Sequence, residues 1–283
     1  MSGFVNLLNY KNTLTLASDI KMTIPFVKYH GTGNDFILID NRDKNINLST
    51  KQIAKICDRR FGIGGDGLIY ILPSEQYDFE MKYFNADGKE GSMCGNGGRC
   101  ITAFAYLLGI ITKGAHFKAI DGEHKSIVHS ASQNDLYIEL SILDVEVKDQ
   151  ADSYYFLDTG SPHYVEFVDK LENINAKERG KEIRWDERFQ PEGTNVNFVE
   201  ISEDVLNVVT YERGVENITL SCGTGVTAAA IAADLKLKSI QHNYNISTPG
   251  GELKIRFDRD NFVFSNIRLS GPVVKVFEGT INL

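Results

Sequence analysis

The amino-acid sequence predicts an α/β fold made of two similar units, each with a helix enclosed by a sheet. Three observations support this prediction. A motif with one cysteine before a Gly-x-Gly turn occurs twice, at Cys94 and at Cys222. Other short motifs recur in the same order at nearly the same offset. Residues 226–237 are apolar on almost every side, which is typical of a helix buried inside a sheet that curls around it.

The internal repeat can be measured directly on the sequence. The two cysteines are 222 − 94 = 128 residues apart. Three further pairs of motifs have offsets of 128, 127 and 129 residues: 58–61 with 186–189, 32–34 with 159–161, and 122–125 with 251–254. Four matches in one order indicate two copies of one unit, not an array of many short repeats. We therefore predict an N-terminal domain at 22–140, a C-terminal domain at 141–268, and a last strand at 269–283 that returns to the first domain.

Length and composition limit the classes of protein to consider. The 283 residues allow two domains of roughly 100–150 residues each, and 42% hydrophobic residues are enough for two cores. A net charge of −8 argues against nucleic acid as a partner. No apolar run reaches the roughly 20 residues of a membrane-spanning helix. Four cysteines in a chain of this length do not form a disulfide framework, and their spacing is not that of a zinc site, so we predict reduced thiols in a cytoplasmic protein with no metal.

Residues 1–21 form a separate segment before the first predicted strand. They lack a basic start followed by an apolar core, so they are not a secretory signal. Met22 directly precedes the first predicted strand, and we expect translation to begin there in the working protein. Residues 1–21 are then a poorly ordered extension; the alternative is an additional surface strand or helix.

The first unit begins with a strand pair that flanks a Gly-rich turn containing Asn34. Ser49 or Thr50 caps a helix whose buried face includes Cys57, which is therefore predicted to be a core residue. Residues 62–67 are also Gly-rich, but they precede a strand and lack the Lys-Ser/Thr pair of a nucleotide-binding loop, which excludes that function. Cys100 lies on the helix after Cys94 and is predicted to be buried. The predicted strands are 24–29, 36–40, 68–72, 79–84, 117–120, 126–129 and 136–140.

The second unit repeats this order of elements and ends with the apolar helix and a run of strands. The predicted strands are 154–158, 164–168, 196–201, 205–211, 244–248, 252–257, 262–268 and 273–277. The helix at 226–237 follows Cys222 in the same way that the helix of the first unit follows Cys94.

The two cysteine motifs have the composition of paired acid/base sites. Glycine allows the backbone to approach a ligand closely, and the free N–H groups of a helix start bind anions and favour a thiolate. A lone cysteine in this setting is more often structural, but two in matching settings would face each other across one cleft. One thiol could then remove a proton from one face of a carbon while the other donates to the opposite face, because a thiol pKa of about 8.5 is near working pH. Backbone N–H groups near Gly95, Asn96, Gly223 and Thr224 could bind the substrate carboxylate.

From Met22 onward the chain resembles the diaminopimelate epimerases, cofactor-independent enzymes that convert LL-diaminopimelate to the meso form in lysine and cell-wall precursor biosynthesis. The motifs that carry the resemblance are His30-Gly31-Thr32-Gly33-Asn34-Asp35-Phe36, Phe84-Asn85-Ala86-Asp87-Gly88, Cys94-Gly95-Asn96-Gly97, Tyr211-Glu212-Arg213-Gly214 and Cys222-Gly223-Thr224-Gly225. The resemblance implies two pseudo-symmetric domains, each a mostly antiparallel sheet around a central helix, in a homodimer without a cofactor.

The resemblance also implies roles for individual residues. Cys94 and Cys222 would be the catalytic thiols, and His163 and Glu212 would tune their pKa. The residues that would hold the substrate are Asn34, Asn85, Asn195, Glu212 and Arg213, with the reacting carboxylate clasped by Gly95, Asn96, Gly223 and Thr224.

Two positions depart from the family pattern. Many members have Asn where this chain has Ser161, and many have Gln where this chain has Gly67. Serine can still donate one hydrogen bond, whereas glycine has no side chain to contribute. Both departures concern contacts to the distal end of the substrate. This chain also has one extra residue between Arg213 and Cys222 relative to familiar members.

Three other functions fit part of the sequence. Proline and hydroxyproline racemases also use two thiols, but His commonly follows their first Cys-Gly, where this chain has Asn96, and proline lacks the second carboxylate that Arg213 would bind. A phenazine-type isomerase of the same fold would lack the paired cysteines. A non-catalytic redox switch would leave Asn34, Asn85 and Arg213 without a role. For His163, the alternative to pKa tuning is a buried structural histidine.

Overall fold

The computed structural model describes residues 23–132, 135–147, 149–150 and 153–282. The expectation for residues 1–21 lies outside this part of the chain. The described helices are α1 (Thr50–Cys57), α2 (Gly95–Leu107), α3 (Ala176–Arg184) and α4 (Gly223–Leu237), with short 3₁₀ turns at Leu171–Asn173 and Glu187–Phe189. The described strands are β1 (Thr23–Gly31), β2 (Asn34–Asp40), β3 (Gly67–Leu72), β4 (Phe79–Asn85), β5 (Gly114–Ala119), β6 (Gly122–Ala131), β7 (Asp135–Ser141), β8 (Val145–Glu146), β9 (Asp149–Gln150), β10 (Tyr155–Asp158), β11 (Pro162–Phe167), β12 (Asn195–Ser202), β13 (Val205–Glu212), β14 (Asn217–Thr219), β15 (Asn243–Thr248), β16 (Gly251–Asp260) and β17 (Val263–Asn282).

The order of strand pairing repeats between the two halves of the chain. In the first half, β2 is parallel to β3, β3 antiparallel to β4, β4 parallel to β5, and β5, β6 and β7 follow as antiparallel neighbours. In the second half, β11, β12, β13, β15, β16 and β17 repeat this sequence of pairings. The α/β fold of two similar units, each a mostly antiparallel sheet around a helix, is thereby confirmed. The exact domain boundary at 140 and 141 stays a prediction.

Helix α1 begins where its sequence predicts. Ser49 occupies the N-cap and accepts a hydrogen bond from the backbone N–H of Gln52, whose side chain in turn accepts from the Ser49 backbone N–H at 2.9 Å. This reciprocal pair is a capping box, which satisfies two donors at the helix start. Cys57 lies in a core cluster with Ile53 and Ile56, so its predicted core position is confirmed.

The C-terminal strand differs from the prediction. The sequence predicts two strands at 262–268 and 273–277, but β17 runs without a break from Val263 to Asn282. It pairs first with β16, up to Ser270, and later with β1, from Val274 onward. Pro272 lies between these two partners and pairs only with β7. The strand therefore continues through the proline because its partner changes there.

Several short elements were missed by the sequence analysis, namely α3, β8, β9 and β14. Helix α3 has few apolar residues, so its pattern does not reveal it. It begins at Asn175, whose side chain accepts from the Glu178 backbone N–H, and it packs closely against β13. A Cβ on Gly180 would lie 2.5 Å from the Cβ of Tyr211, so glycine at this position allows the close approach.

The two central helices, α2 and α4, lie inside the sheet and meet at their N-termini. In α4 every residue from Gly225 to Leu235 is buried, and its alanines allow the surrounding strands to approach closely. A Cβ on Gly223 would lie 3.2 Å from the Cα of Gly95, the first residue of α2. The fold thus brings both helix starts to one point. Within the described ranges, none of the helices has the length and apolar character required to cross a membrane.

Candidate active site

Cys94 and Cys222 occupy equivalent positions at the starts of the two central helices. Cys94 is the N-cap of α2, with φ −116° and ψ 120°, and Cys222 is the N-cap of α4, with φ −125° and ψ 111°. The backbone N–H groups of Gly97 and Asn96 favour the thiolate of Cys94, and that of Gly225 favours the thiolate of Cys222. Each sulfur therefore lies at the positive end of a helix.

Glycine after each cysteine is required by the contact between the two helix starts. A Cβ on Gly95 would lie 2.8 Å from Cδ2 of Leu269 and 3.6 Å from the Cα of Gly223. A Cβ on Gly223 would meet the same leucine atom at 3.1 Å. Negative charge on Cys94 also raises the pKa of Cys222, which follows from their closeness. The two thiols belong to one site.

On the first side of this site, Cys94 contacts the carboxamide of Asn34. Its sulfur lies 3.5 Å from Asn34 Oδ1, while Asn34 Nδ2 donates to Asp66 Oδ2 at 2.7 Å. Because a carboxylate only accepts, this second bond fixes the amide so that its oxygen faces the thiol. Asn96 Nδ2 donates to the same oxygen and to the Ser221 carbonyl, both at 3.2 Å. Asn96 therefore links the surroundings of the two cysteines.

On the second side, a hydrogen-bonded chain leads to Cys222. Asn197 Nδ2 donates to the Tyr164 carbonyl and to His163 Nδ1, each at 3.0 Å. His163 Nδ1 is therefore an acceptor, and the ring proton of the neutral imidazole is on Nε2. Nε2 lies 3.0 Å from Thr224 Oγ1, which lies 3.4 Å from Cys222 Sγ. Because His163 Nε2 donates to Thr224 Oγ1, the Thr224 hydroxyl can donate its own proton to Cys222 Sγ.

His163 remains neutral in this environment. It is completely buried, and burial together with the nearby charge of Arg213 lowers its pKa to about 3. The hydrogen-bonded path from His163 to Cys222 therefore passes through the hydroxyl of Thr224 and contains no imidazolium charge. Sequence reasoning anticipated that His163 is near the thiol but not the intervening threonine.

Burial decides the pKa of both thiols. Burial and the charge of Glu212 raise the pKa of Cys94 to about 11, although the N–H groups at the helix start oppose this shift. The same two causes raise the pKa of Cys222 well above its usual range. The N–H groups at the helix starts lower both pKa values, as the sequence predicts, but removal from water outweighs them. Glu212 is half-buried at the end of β13, and burial raises the pKa of its carboxyl group as well.

A second polar group is formed by Ser161, Asn195 and Arg213. Asn195 Nδ2 and Arg213 Nη2 donate to Ser161 Oγ at 2.9 and 3.3 Å, and the Arg213 backbone N–H donates to Asn195 Oδ1 at 2.9 Å. Arg213 Nη1 also donates to the Glu192 carbonyl at 3.1 Å. Ser161 thus receives two hydrogen bonds and keeps its hydroxyl proton for another acceptor. Within the described residues no carboxylate pairs with Arg213.

Neighbouring groups fill the space beside Gly67. A Cβ on Gly67 would lie 2.4 Å from both the Phe84 carbonyl and Cε2 of Tyr83. The Tyr83 ring therefore occupies the space that a side chain at position 67 would take. Burial raises the pKa of Tyr83, and the charges of Cys94 and Asp66 raise it further, which follows from their closeness. Asn85 is exposed at the end of the same strand, and its Oδ1 lies 3.0 Å from a Cβ built on Gly91.

Sequence reasoning missed Asp66, Tyr83 and Asn197. Asn197 lies two residues after Asn195 on β12, and strand alternation predicts that the two side chains share one face. Thr210 Oγ1 donates to its Oδ1 at 2.9 Å, which fixes the orientation of the amide toward His163. Tyr83 and Asp66 carry no comparable local signal, because only the folded chain brings them to Cys94.

Comparison with known proteins identifies the relatives of this chain. The family model described as diaminopimelate epimerase matches residues 26–140 and 155–276. The chain is 48% identical to the diaminopimelate epimerase of Flavobacterium psychrophilum over 90% of its own length and 98% of the relative. It is 41% identical to that of Chlorobaculum tepidum, covering 89% of this chain and 99% of the relative.

Solved structures share the fold at low sequence identity. A phenazine biosynthesis protein of the PhzF family from Bacillus anthracis superimposes with a TM-score of 0.71 at 14% identity, covering 93% of this chain and 100% of that one. A hydroxyproline epimerase from Agrobacterium vitis, solved with trans-4-hydroxy-L-proline, gives a TM-score of 0.71 at 13% identity, with 93% and 92% covered. These likenesses concern the fold, whereas the sequence matches above identify the family. The chain belongs to the diaminopimelate epimerase family.

Proposed function

We propose that this protein converts LL-diaminopimelate to meso-diaminopimelate by a two-thiol acid/base reaction without a cofactor. The observation that carries the proposal is the pair of cysteines, Cys94 and Cys222, at the N-caps of two helices whose first residues are in contact. Inversion at carbon needs a base on one face and an acid on the other. Two thiols on opposite sides of one cleft meet that need.

The reaction transfers one proton on each face of the substrate. The thiolate of one cysteine removes the α-proton, so a C–H bond breaks, an S–H bond forms, and the electron pair delocalises into the carboxylate. The thiol of the other cysteine then gives up its proton to the opposite face. Because the reaction is reversible, each sulfur must exist as a thiolate in turn. The Thr224 hydroxyl supports this form at Cys222, and the backbone N–H groups of Gly97 and Asn96 support it at Cys94.

Negative charge on the reacting carboxylate would be stabilised at the helix starts. The N–H groups of Gly95, Asn96, Gly223 and Thr224 belong to the first turns of α2 and α4, where they lack helical partners. A carboxylate bound there can accept hydrogen bonds as its charge increases during proton removal. The apolar interior around both helices strengthens these interactions by excluding water.

The remaining polar residues would hold the other groups of the substrate. Arg213 and the hydroxyl of Ser161 are suited to the distal carboxylate, and Asn195 orients both of them. Asn34 and Asn85 offer amide groups on the opposite wall. Glu212, whose charge acts on both thiols, is suited to a substrate ammonium group. Pairing with a cation would also reduce the repulsion between this carboxylate and a thiolate.

We further propose that the enzyme acts as a homodimer in the cytoplasm. Four free cysteines within the described chain are compatible with a reducing compartment, and the resemblance to a dimeric family supports self-association. Sedimentation equilibrium of the full chain tests the second point. A dimer mass independent of micromolar concentration is expected, and a monomer mass throughout would contradict it.

Incubation of the purified protein with LL-diaminopimelate tests the proposed function. Formation of the meso isomer, followed by chiral chromatography, should need no added cofactor and should survive treatment with hydroxylamine, which removes pyridoxal phosphate. L-Proline and trans-4-hydroxy-L-proline under the same conditions should not be inverted. Failure to form the meso isomer, loss of activity with hydroxylamine, or comparable inversion of proline would each reject the proposal.

A further inference from the structure

Arg99 on α2 is a buried cation without a counter-ion. Its side chain has 0% exposure and is the largest of those that are fully buried. Within the described residues no carboxylate forms an ion pair with it, and its Nε and Nη1 atoms have no hydrogen-bond acceptor. A buried and incompletely satisfied charge destabilises a fold, so a stability role does not account for this residue.

The guanidinium group lies in a space formed by two glycines from different strands. A Cβ on Gly31 of β1 would lie 3.1 Å from Arg99 Nη2, and one on Gly271 of β17 would lie 3.6 Å from Cζ and Nε. Nη2 donates to Asn96 Oδ1 at 3.0 Å and to Thr32 Oγ1 at 3.4 Å. The arginine is therefore held in one position directly behind the start of α2.

The bond to Asn96 determines which way that carboxamide points. Because Arg99 only donates, Asn96 must turn its oxygen toward the arginine and its Nδ2 toward the cleft. Nδ2 then reaches both Asn34 Oδ1 and the carbonyl of Ser221, the residue before Cys222. Asn34 Oδ1 is also the atom that contacts Cys94. One arginine thus orients the amide that connects the surroundings of both thiols.

The charge of Arg99 acts on a small set of ionisable groups. These groups are Cys94 at the N-cap of α2, Cys100 on α2 and Tyr137 on β7. Burial lowers the pKa of Arg99, but a guanidinium remains charged at all accessible pH values. Burial and Glu212 raise the pKa of Cys94, and Arg99 opposes them. Without a carboxylate to neutralise it, the field of Arg99 stays available in a medium of low dielectric constant.

We propose that Arg99 is a positioning residue of the active site, which orients Asn96 and supplies the buried positive charge behind Cys94 that stabilises its thiolate. The consequence of Arg99 for the turnover of LL-diaminopimelate rests on the proposed function. The effect on Cys94 does not, because it concerns the protein without substrate.

Arg99→Met tests this inference in the full-length protein. The pH dependence of Cys94 alkylation by iodoacetamide, measured by peptide mass spectrometry, should shift upward by about one pH unit, since one charge in a buried site has an effect of this order. The value of kcat/KM should fall about 100-fold, while the melting temperature should stay equal or rise because an unsatisfied buried charge is removed. Arg60→Met, which removes an exposed arginine, should change none of the three.

Two further variants separate the charge from the hydrogen bond. Arg99→Lys keeps the charge but loses the planar donor group, so the Cys94 alkylation profile should stay near that of the parent while kcat/KM falls about 10-fold. Asn96→Ala should have the same two effects. These variants also provide the test if Arg99→Met does not fold.

The opposite results would overturn the inference. A lower melting temperature in Arg99→Met, with no shift in the pH dependence of Cys94 alkylation, would make Arg99 a structural residue. The same conclusion would follow if the alkylation profile of Arg99→Lys shifted upward as far as that expected for Arg99→Met. Failure of the parent protein to invert LL-diaminopimelate would reject the proposed function. The alkylation measurement would still decide the role of Arg99.

Discussion

Cys94→Ala and Cys222→Ala should each abolish epimerisation of LL-diaminopimelate, with kcat reduced by about 1,000-fold or more, the scale of general acid–base catalysis. Inversion needs both faces of the carbon, so loss of either thiol stops the reaction even when the other is intact. The fold should survive, because each change removes one small side chain. Chiral chromatography of the product and circular dichroism of each variant measure the two effects. Serine at either position should leave weak activity at most, because a hydroxyl is a far poorer acid at neutral pH.

Cys57→Ala provides the matched control for these variants. Cys57 is also a free and buried cysteine, but it lies in a separate core cluster with Ile53 and Ile56. Its removal should cost some stability and leave kcat near that of the parent. An alanine variant of Cys94 or Cys222 that inverts the substrate at a rate near the parent's would reject the two-thiol reaction.

Arg213→Lys should raise KM for LL-diaminopimelate about 10- to 100-fold with a smaller effect on kcat, because lysine keeps the charge but cannot form two parallel hydrogen bonds to a carboxylate. It should also lose the bond to Ser161 that Arg213 Nη2 forms. Steady-state kinetics with LL-diaminopimelate and with an analogue that lacks the distal carboxylate measure affinity and selectivity together.

Arg188→Lys is the control for this change, since Arg188 is an exposed arginine paired with Asp186 on the surface. Its kinetics should match those of the parent. If the Arg213 variant also has unchanged KM and unchanged selectivity for the diacid, Arg213 has a structural role and the distal carboxylate is bound elsewhere.

Most of the fold could be predicted because its signals are local or repeated. The apolar pattern of α4, the Ser49 cap of α1 and the duplicated motifs are properties of short stretches of sequence, and the elements that they predict are present. The continuous strand β17 could not be predicted, because Pro272 interrupts it locally and only the change of partner from β16 to β1 allows it to continue. Helix α3 could not be predicted either, because its contact with β13 depends on Gly180 and not on an apolar pattern.

The candidate site divides in a similar way. Its two cysteines and their glycines are visible in the sequence, since they stand in repeated motifs. The ionisation of the thiols cannot be read from the sequence, because burial is a property of the folded chain. Here the effect of burial on the thiol pKa outweighs that of the N–H groups at the helix starts. Likewise Tyr83 fills the space beside Gly67 only after β3 and β4 have paired. Long-range proximity, not residue type, is what the sequence leaves undetermined.

Proton exchange during the first turnovers in D2O tests the central claim most directly. If two thiols act on opposite faces, the acid delivers a deuteron that it has already exchanged with solvent, while the base can return only the proton it removed. Early meso-diaminopimelate should therefore carry deuterium at the inverted centre, and the recovered LL isomer should remain protiated, as measured by NMR or mass spectrometry. Early product that retains the original proton, or an LL pool that gains deuterium as fast as the product, would contradict the two-thiol account.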